Sequence, residues 1–170
     1  MGLQNTNYNQ NMTISEAIAS HLLDVFFGES WTDVWIFHTL EDLDWKEAIQ
    51  PTAGSPNTIA SLLHHITFYN KVIQQRLQGT DPVIGEANGF DLPPVHNAED
   101  WIWMKTLNLQ SATDLAEMIR QLPDTVLHQS IGNVPGASSY YKQLHGVIEH
   151  AYYHLGQIVI LKNLIRKQQQ

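Results

Sequence analysis

Two histidines four positions apart, His150 and His154, are the residues of this sequence best suited to metal chemistry. They lie in the segment HGVIEHAYYHLGQIVIL near the C-terminus, which contains no proline from residue 138 onward. Residues at positions i and i+4 of a helix share a face, so the two imidazoles could bind one metal ion together. In a heptad pattern with Val147 at position a, both histidines occupy positions that face the other helices. Burying two polar rings is unfavourable unless each finds a partner, and a metal ion would be such a partner.

A third histidine is expected from the segment SLLHHITFYNKVI, which has the apolar spacing of a helix. Each helical residue turns by about 100°. On that basis His65 lies in line with Leu62 and Tyr69 at the flank of the apolar face, whereas His64 points nearly in the opposite direction. The predicted ligand triad therefore adds His65 to the pair in the last helix.

Three neutral imidazoles leave one position open for water or substrate, which is typical of catalytic rather than structural metal sites. Zinc or nickel is the favoured ion, and ferrous iron and manganese also accept imidazole. Two further residues are candidates for a supporting role. Gln157 could orient a ligand or form a core hydrogen bond, and Tyr69 could line a pocket or pack in the core.

The composition excludes several other classes of protein. The 170 residues include no cysteine, which rules out disulfides, thiolate metal sites and cysteine nucleophiles. A formal charge of −8 matches a nucleic-acid backbone poorly. There is no run of 18 apolar residues, and the polar N-terminus lacks the core of a signal peptide, so we expect a cytoplasmic protein without membrane contact.

The periodicity predicts an all-α protein, most simply a four-helix bundle. Predicted helices cover residues 14–27, 31–40, 58–78, 98–122 and 138 onward. Thr13 and Glu16 fit a capping box, and Asn57 is the expected N-cap of the helix that carries His65. Residues 44–57 are predicted to be mainly connection, and residues 79–97 form a long loop of the kind that often covers a site. We expect a flexible tail at residues 1–12 and one domain at residues 13–167.

SLLHHITFYNKVI and HGVIEHAYYHLGQIVILKNLI resemble the metal-binding helices of the DinB/YfiT-like superfamily, and the resemblance extends from about residue 14 to residue 165. It implies a DinB-like four-helix bundle with up-down-down-up topology, often a homodimer. It also implies a divalent metal ion held by His65, His150 and His154. Relatives of this kind include thiol-dependent enzymes, namely mycothiol-dependent isomerases and bacillithiol transferases.

The leading hypothesis is a divalent-metal-dependent hydrolase or thiol transferase that acts on a small molecule, for example a low-molecular-weight thiol. Its nucleophile would be water on the ion or a substrate thiolate. A first alternative is a non-catalytic bundle that binds a metal or ligand in a structural or stress-response role. A second is an interaction module that dimerises through tryptophan-bearing faces. A zinc-protease assignment is weak, because HAYYH lacks the glutamate of H-E-x-x-H.

Overall fold

The computed structural model describes residues 12–133 and 136–168, and within these residues the chain is helical without a strand. The α-helices are α1 (Ile14–Phe27), α2 (Ile36–Glu41), α3 (Trp45–Ile49), α4 (Ile59–Leu77), α5 (Ala98–Arg120) and α6 (Tyr140–Gln168). Two short 3₁₀ helices, Asp124–Val126 and Ile131–Asn133, lie between α5 and α6. Of the predicted N-terminal tail, only Met12 falls within the described residues.

The predicted bounds of α1 are confirmed, because both ends carry strong local signals. The Thr13 hydroxyl accepts a hydrogen bond from the backbone N–H of Glu16 at 3.1 Å, and the Glu16 carboxylate accepts one from the backbone N–H of Thr13 at 2.7 Å. This reciprocal pair satisfies two N–H groups that the helix leaves free. Gly28 then ends the helix with a φ of 118°, a conformation that favours glycine.

The segment after α1 differs from the prediction in two places. α2 begins at Ile36 rather than at residue 31, because the Ser30 hydroxyl donates to the carbonyl of Val34 at 3.0 Å and holds a turn there. The stretch predicted as connection contains α3, which starts at a second capping box formed by Asp44 and Glu47. Propensity and spacing favoured a longer α2, and local side-chain hydrogen bonds overrode them. The prediction of Asn57 as the N-cap of α4 was also wrong, because Thr58 caps this helix in a capping box with Ser61.

A buried polar network shows that α4 and α5 run parallel. Asn108 of α5 donates to the Thr67 hydroxyl of α4 at 3.0 Å, and one turn further along both helices Asn70 donates to the Ser111 hydroxyl at 3.0 Å. Partners that advance together along two helices require the helices to point the same way. Ser111 therefore takes part in a contact between the two helices.

The remaining directions follow from contacts at helix ends. The backbone N–H of Ile14, at the start of α1, donates to the carboxylate of Asp124, just beyond the end of α5, at 3.0 Å. Arg76, near the end of α4, donates to Gln143, near the start of α6, at 2.9 Å. α1 is thus antiparallel to α5, and α4 is antiparallel to α6. Together with the parallel pair, these contacts give the predicted up-down-down-up topology.

The four long helices enclose one apolar core. α1 and α4 each pack against both α5 and α6, so helices that follow one another in the sequence are not always neighbours. Trp101 is buried in this core, and its indole N–H donates to the carbonyl of Leu43 at 3.0 Å. None of the helices described is long and apolar enough to cross a lipid bilayer.

Candidate metal centre

His65 of α4 meets His150 and His154 of α6 inside the bundle. The Nε2 atom of His150 lies 3.0 Å from that of His65 and 3.0 Å from that of His154. All three candidate ligand atoms lie within 4.8 Å of one another. His65 is 4 % exposed and His154 6 % exposed. The structure therefore brings together the three histidines that helix geometry predicts.

The protons on these rings favour a cation between them over hydrogen bonds. The Nδ1 atom of His154 lies 2.7 Å from Oε1 of Gln157, whose amide is oriented by donating its N–H to the Tyr153 hydroxyl at 3.1 Å. His154 therefore carries its proton on Nδ1 and directs the lone pair of Nε2 at the centre. Without a metal ion, the Nε2 atom of His150 lies 3.0 Å from two other ring nitrogens and can form a hydrogen bond with only one of them at a time. The other contact would then have no hydrogen bond. One cation satisfies all three lone pairs.

The distances and the donor set both fit a divalent ion. Two nitrogens bound to one tetrahedral ion at about 2.0–2.1 Å lie about 3.3 Å apart, close to the 3.0 Å that separates the Nε2 atom of His150 from each of the other two. The Nδ1 atom of His150 is buried without a hydrogen-bond partner, so no hydrogen bond at that nitrogen fixes the orientation of its ring. No Asp or Glu among the described residues joins the cluster. Three histidines could therefore hold a metal ion with part of its coordination sphere left free.

Burial keeps the three imidazoles uncharged. Loss of solvent is the main cause that lowers the pKa of His150 to about 3 and that of His65 to about 4, and the neighbouring His154 lowers both further. Burial also lowers the pKa of His154, against the opposing effect of its hydrogen bond to Gln157. Neutral imidazole is the form that binds metal ions.

These lowered pKa values predict metal binding that tolerates mild acid. Protons compete with the metal only when the pH approaches the pKa of the ligands. We expect the dissociation constant to change by less than about tenfold between about pH 7.5 and pH 5.5, whereas three histidines with an ordinary pKa would lose about 1000-fold. Competition with a fluorescent chelator measures this, with circular dichroism to check folding at each pH. A loss near 1000-fold in folded protein would contradict the prediction.

Unlike metal binding, the free energy of unfolding of the metal-free protein should depend on pH in this range. Below pH 6.5, the ordinary pKa of histidine, these side chains are protonated in the unfolded chain. In the folded protein His65 stays neutral until the pH nears its pKa of about 4, and His150 until the pH nears its pKa of about 3. The unfolded state binds more protons in this window, so the free energy of unfolding should fall as the pH decreases through it. Denaturation experiments with a chelator present would measure the trend.

Residues 78–97, which we call the crossover loop, run back along α4 and cover one face of His65. The Tyr69 hydroxyl donates to the Asn88 side chain at 2.6 Å. The ring of Phe90 stacks on that of His65, with centroids 3.9 Å apart and planes 14° from parallel. Gly89, between them, passes so close to Phe68 that a Cβ would lie 2.5 Å from its ring. The loop thus shields one face of His65 from water.

A cavity of about 490 Å³ opens beside the cluster. All three histidines line it, together with Tyr69, Asn88 and Tyr153. The volume is that of a site for a small molecule. A group entering the cavity would reach the Nε2 atoms and any ion they hold.

The other candidate residues from the sequence lie around the cluster and not in it. His64 is outside the cluster and faces Asp91, with 3.9 Å between Nε2 and Oδ1. Tyr69 lines the cavity, and Gln157 contacts His154, which are the positions expected of supporting residues. The roles of Asn88 and Phe90 were not predictable, because neither the spacing nor the composition of a loop indicates which helix it will contact.

Comparison with known proteins supports a family assignment for this chain. The profile of the DinB superfamily matches residues 35–158, which include all three histidines. No curated protein matches the chain at a significant level. The match spans most of the chain, from the turn before α2 well into α6, so that the chain belongs to the DinB superfamily.

Proposed function

We propose that this protein is a divalent-metal-dependent enzyme, either a hydrolase or a thiol transferase, that acts on a small molecule. The observation that carries the proposal is the position of His65, His150 and His154. Their Nε2 atoms converge at the wall of a cavity, and no further Asp or Glu in the described part of the chain completes the set. Zinc or nickel is the proposed ion, with iron or manganese as alternatives.

The chain's own residues would hold and shape this site. When bound, a divalent ion would polarise a substrate oxygen or stabilise a thiolate at neutral pH. Gln157 fixes the proton of His154 on Nδ1 and so keeps the Nε2 lone pair directed inward. Tyr69 holds the crossover loop through Asn88, and Phe90 keeps water from one face of His65.

The main alternative is a bundle whose histidine site is structural and not catalytic. A structural site is normally closed by a fourth protein ligand. The cavity beside the histidines favours the enzyme, because it leaves room for a substrate. An interaction module that dimerises through its tryptophans is a third candidate, and the indole of Trp31 is 89 % exposed. A homodimer and a cytoplasmic location remain predictions.

An activity screen with defined metal content tests the proposal. Protein loaded with zinc, nickel, iron or manganese would be assayed for ester and amide hydrolysis and for transfer of small thiols to an electrophile. We expect one metal-dependent activity that a chelator abolishes. It should be lost in His150→Ala and retained in His64→Ala, a matched substitution at a histidine outside the cluster. Equal rates for wild type and His150→Ala in every assay would argue for the structural alternative.

A further inference from the structure

The charged side chains that line the cavity are all cations. They are Arg76 and Lys142, and no Asp or Glu is among the lining residues. The positive charge of the cavity lining contrasts with the composition of the whole chain, which has 9 Lys and Arg and 17 Asp and Glu. A cavity wall with cations alone creates a local positive potential that attracts anions despite the negative net charge.

Both cations lie at the same end of the cavity, away from the histidines. Arg76 follows His65 by eleven residues on α4, which is about 16 Å along the helix axis. Lys142 precedes His150 by eight residues on α6, about 12 Å. Because α4 and α6 are antiparallel, these two displacements point in the same direction. A ligand that reaches from the histidines to the cations is therefore elongated.

Two hydrogen bonds hold the Arg76 side chain in place, and its other N–H groups can still bind a ligand. Its Nε donates to Asp81 at 3.2 Å and its Nη1 to Gln143 at 2.9 Å, while Gln143 in turn donates to the Ser138 hydroxyl at 2.7 Å. A guanidinium has five N–H donors, so three remain after these two bonds. Gln143 and Ser138 also line the cavity.

Lys142 supplies a second, free charge. It is exposed, and no carboxylate among residues 12–133 and 136–168 lies within ion-pair distance of it. Asp81 offsets part of the charge of Arg76 but does not line the cavity. One net positive charge therefore remains at this end of the cavity, beside a fork of donors that suits a carboxylate or phosphate group.

We propose that the substrate of this site carries an anionic group, a carboxylate or a phosphate, that Arg76 and Lys142 bind. Its reacting group would lie at the histidines, and the long side chains of Arg76 and Lys142 would span part of the roughly 12–16 Å between the two ends. The inference rests on the proposed function and adds the class of substrate to it. A neutral molecule would leave the charge of Lys142 without a partner in the complex.

Thiol probes that differ only at one end test the proposal. Zinc-loaded protein would be titrated by calorimetry with mercaptooctanoate, mercaptooctylphosphonate and the neutral mercaptooctanol, whose thiols anchor at the metal. We expect at least one of the two anionic probes to bind about tenfold more tightly than the alcohol, since charge-assisted hydrogen bonds to a guanidinium are among the strong ones. Mercaptopropionate should show no such advantage, because it is too short to reach the cations.

Substitutions separate this inference from the proposed function. Lys142→Gln should weaken binding of the preferred anion about twofold to fivefold and leave mercaptooctanol unchanged. Lys142→Arg should retain the preference, and so should Lys71→Gln, which removes an exposed charge from α4 outside this cavity. If all three long probes bind equally, the anion site is wrong while the metal site stands. If the protein retains no zinc and binds none of the thiols, the proposed function fails and this inference fails with it.

Discussion

Replacement of His150 by alanine should reduce metal affinity by about 100- to 1000-fold. Apparent binding free energies of zinc sites are about 10–16 kcal/mol, so one of three or four ligands is worth about 3–4 kcal/mol. His150 is the central member of the cluster, with its Nε2 atom 3.0 Å from those of both other histidines. His154→Ala and His65→Ala should have effects of the same size. Elemental analysis and chelator competition on purified protein measure the loss.

His64→Ala is the matched control for these substitutions. It removes the same side chain one position from His65, at a residue that faces Asp91 and not the cluster. We expect its metal content to equal that of the wild type. Thermal unfolding with a chelator present should show that the metal-free variants are folded. Equal, negligible metal in wild type, His150→Ala and His64→Ala would remove the metal centre altogether.

Gly89→Ala should destabilise the protein by about 1–3 kcal/mol, the usual range for overpacking a filled site. Two independent causes combine at this residue. Its φ of 75° is strained for any residue with a Cβ, and that Cβ would lie 2.5 Å from the Cγ and Cδ1 atoms of Phe68. The neighbouring loop residues cannot shift freely, because Asn88 is bonded to Tyr69 and Phe90 is stacked on His65. Urea denaturation of the metal-free protein measures the loss.

Gly85→Ala tests whether this effect is specific to the contact with α4. Gly85 belongs to the same crossover loop, its φ is not in the left-handed range, and no atom lies within 4 Å of an added Cβ. We expect its free energy of unfolding to stay within about 0.5 kcal/mol of the wild-type value. If the two variants unfolded alike, the close approach of the loop to Phe68 would be wrong.

Local signals in the sequence were sufficient for much of the fold. The capping box of Thr13 and Glu16 and the glycine after Phe27 predicted α1 to the residue. The same kind of signal was present at Asp44 and Glu47 but was outweighed by the prolines and glycines that follow, so α3 was missed. Capping depends on residues three positions apart, which is why it can be read without knowledge of the tertiary structure.

The candidate ligands were also predictable, because helix geometry alone decides which side chains share a face. His150 and His154 share one by their spacing, and His65 was selected over His64 by its position beside the apolar face of α4. The cavity and its cations were not predictable in this way. Arg76 and Lys142 lie 66 residues apart, and only the antiparallel packing of α4 and α6 brings them to one end of a common space.

The parallel direction of α4 and α5 has a consequence for how variable the pocket can be. A chain that leaves one end of a 19-residue helix and starts a parallel neighbour must return about 28 Å, which needs at least nine or so extended residues. Residues 78–97 exceed that minimum, so the loop is longer than the connection requires. Exchange of this loop between related bundles could therefore change the surface that contacts His65 while the four long helices keep their geometry. Deletion of the loop would remove the connection that two parallel helices require.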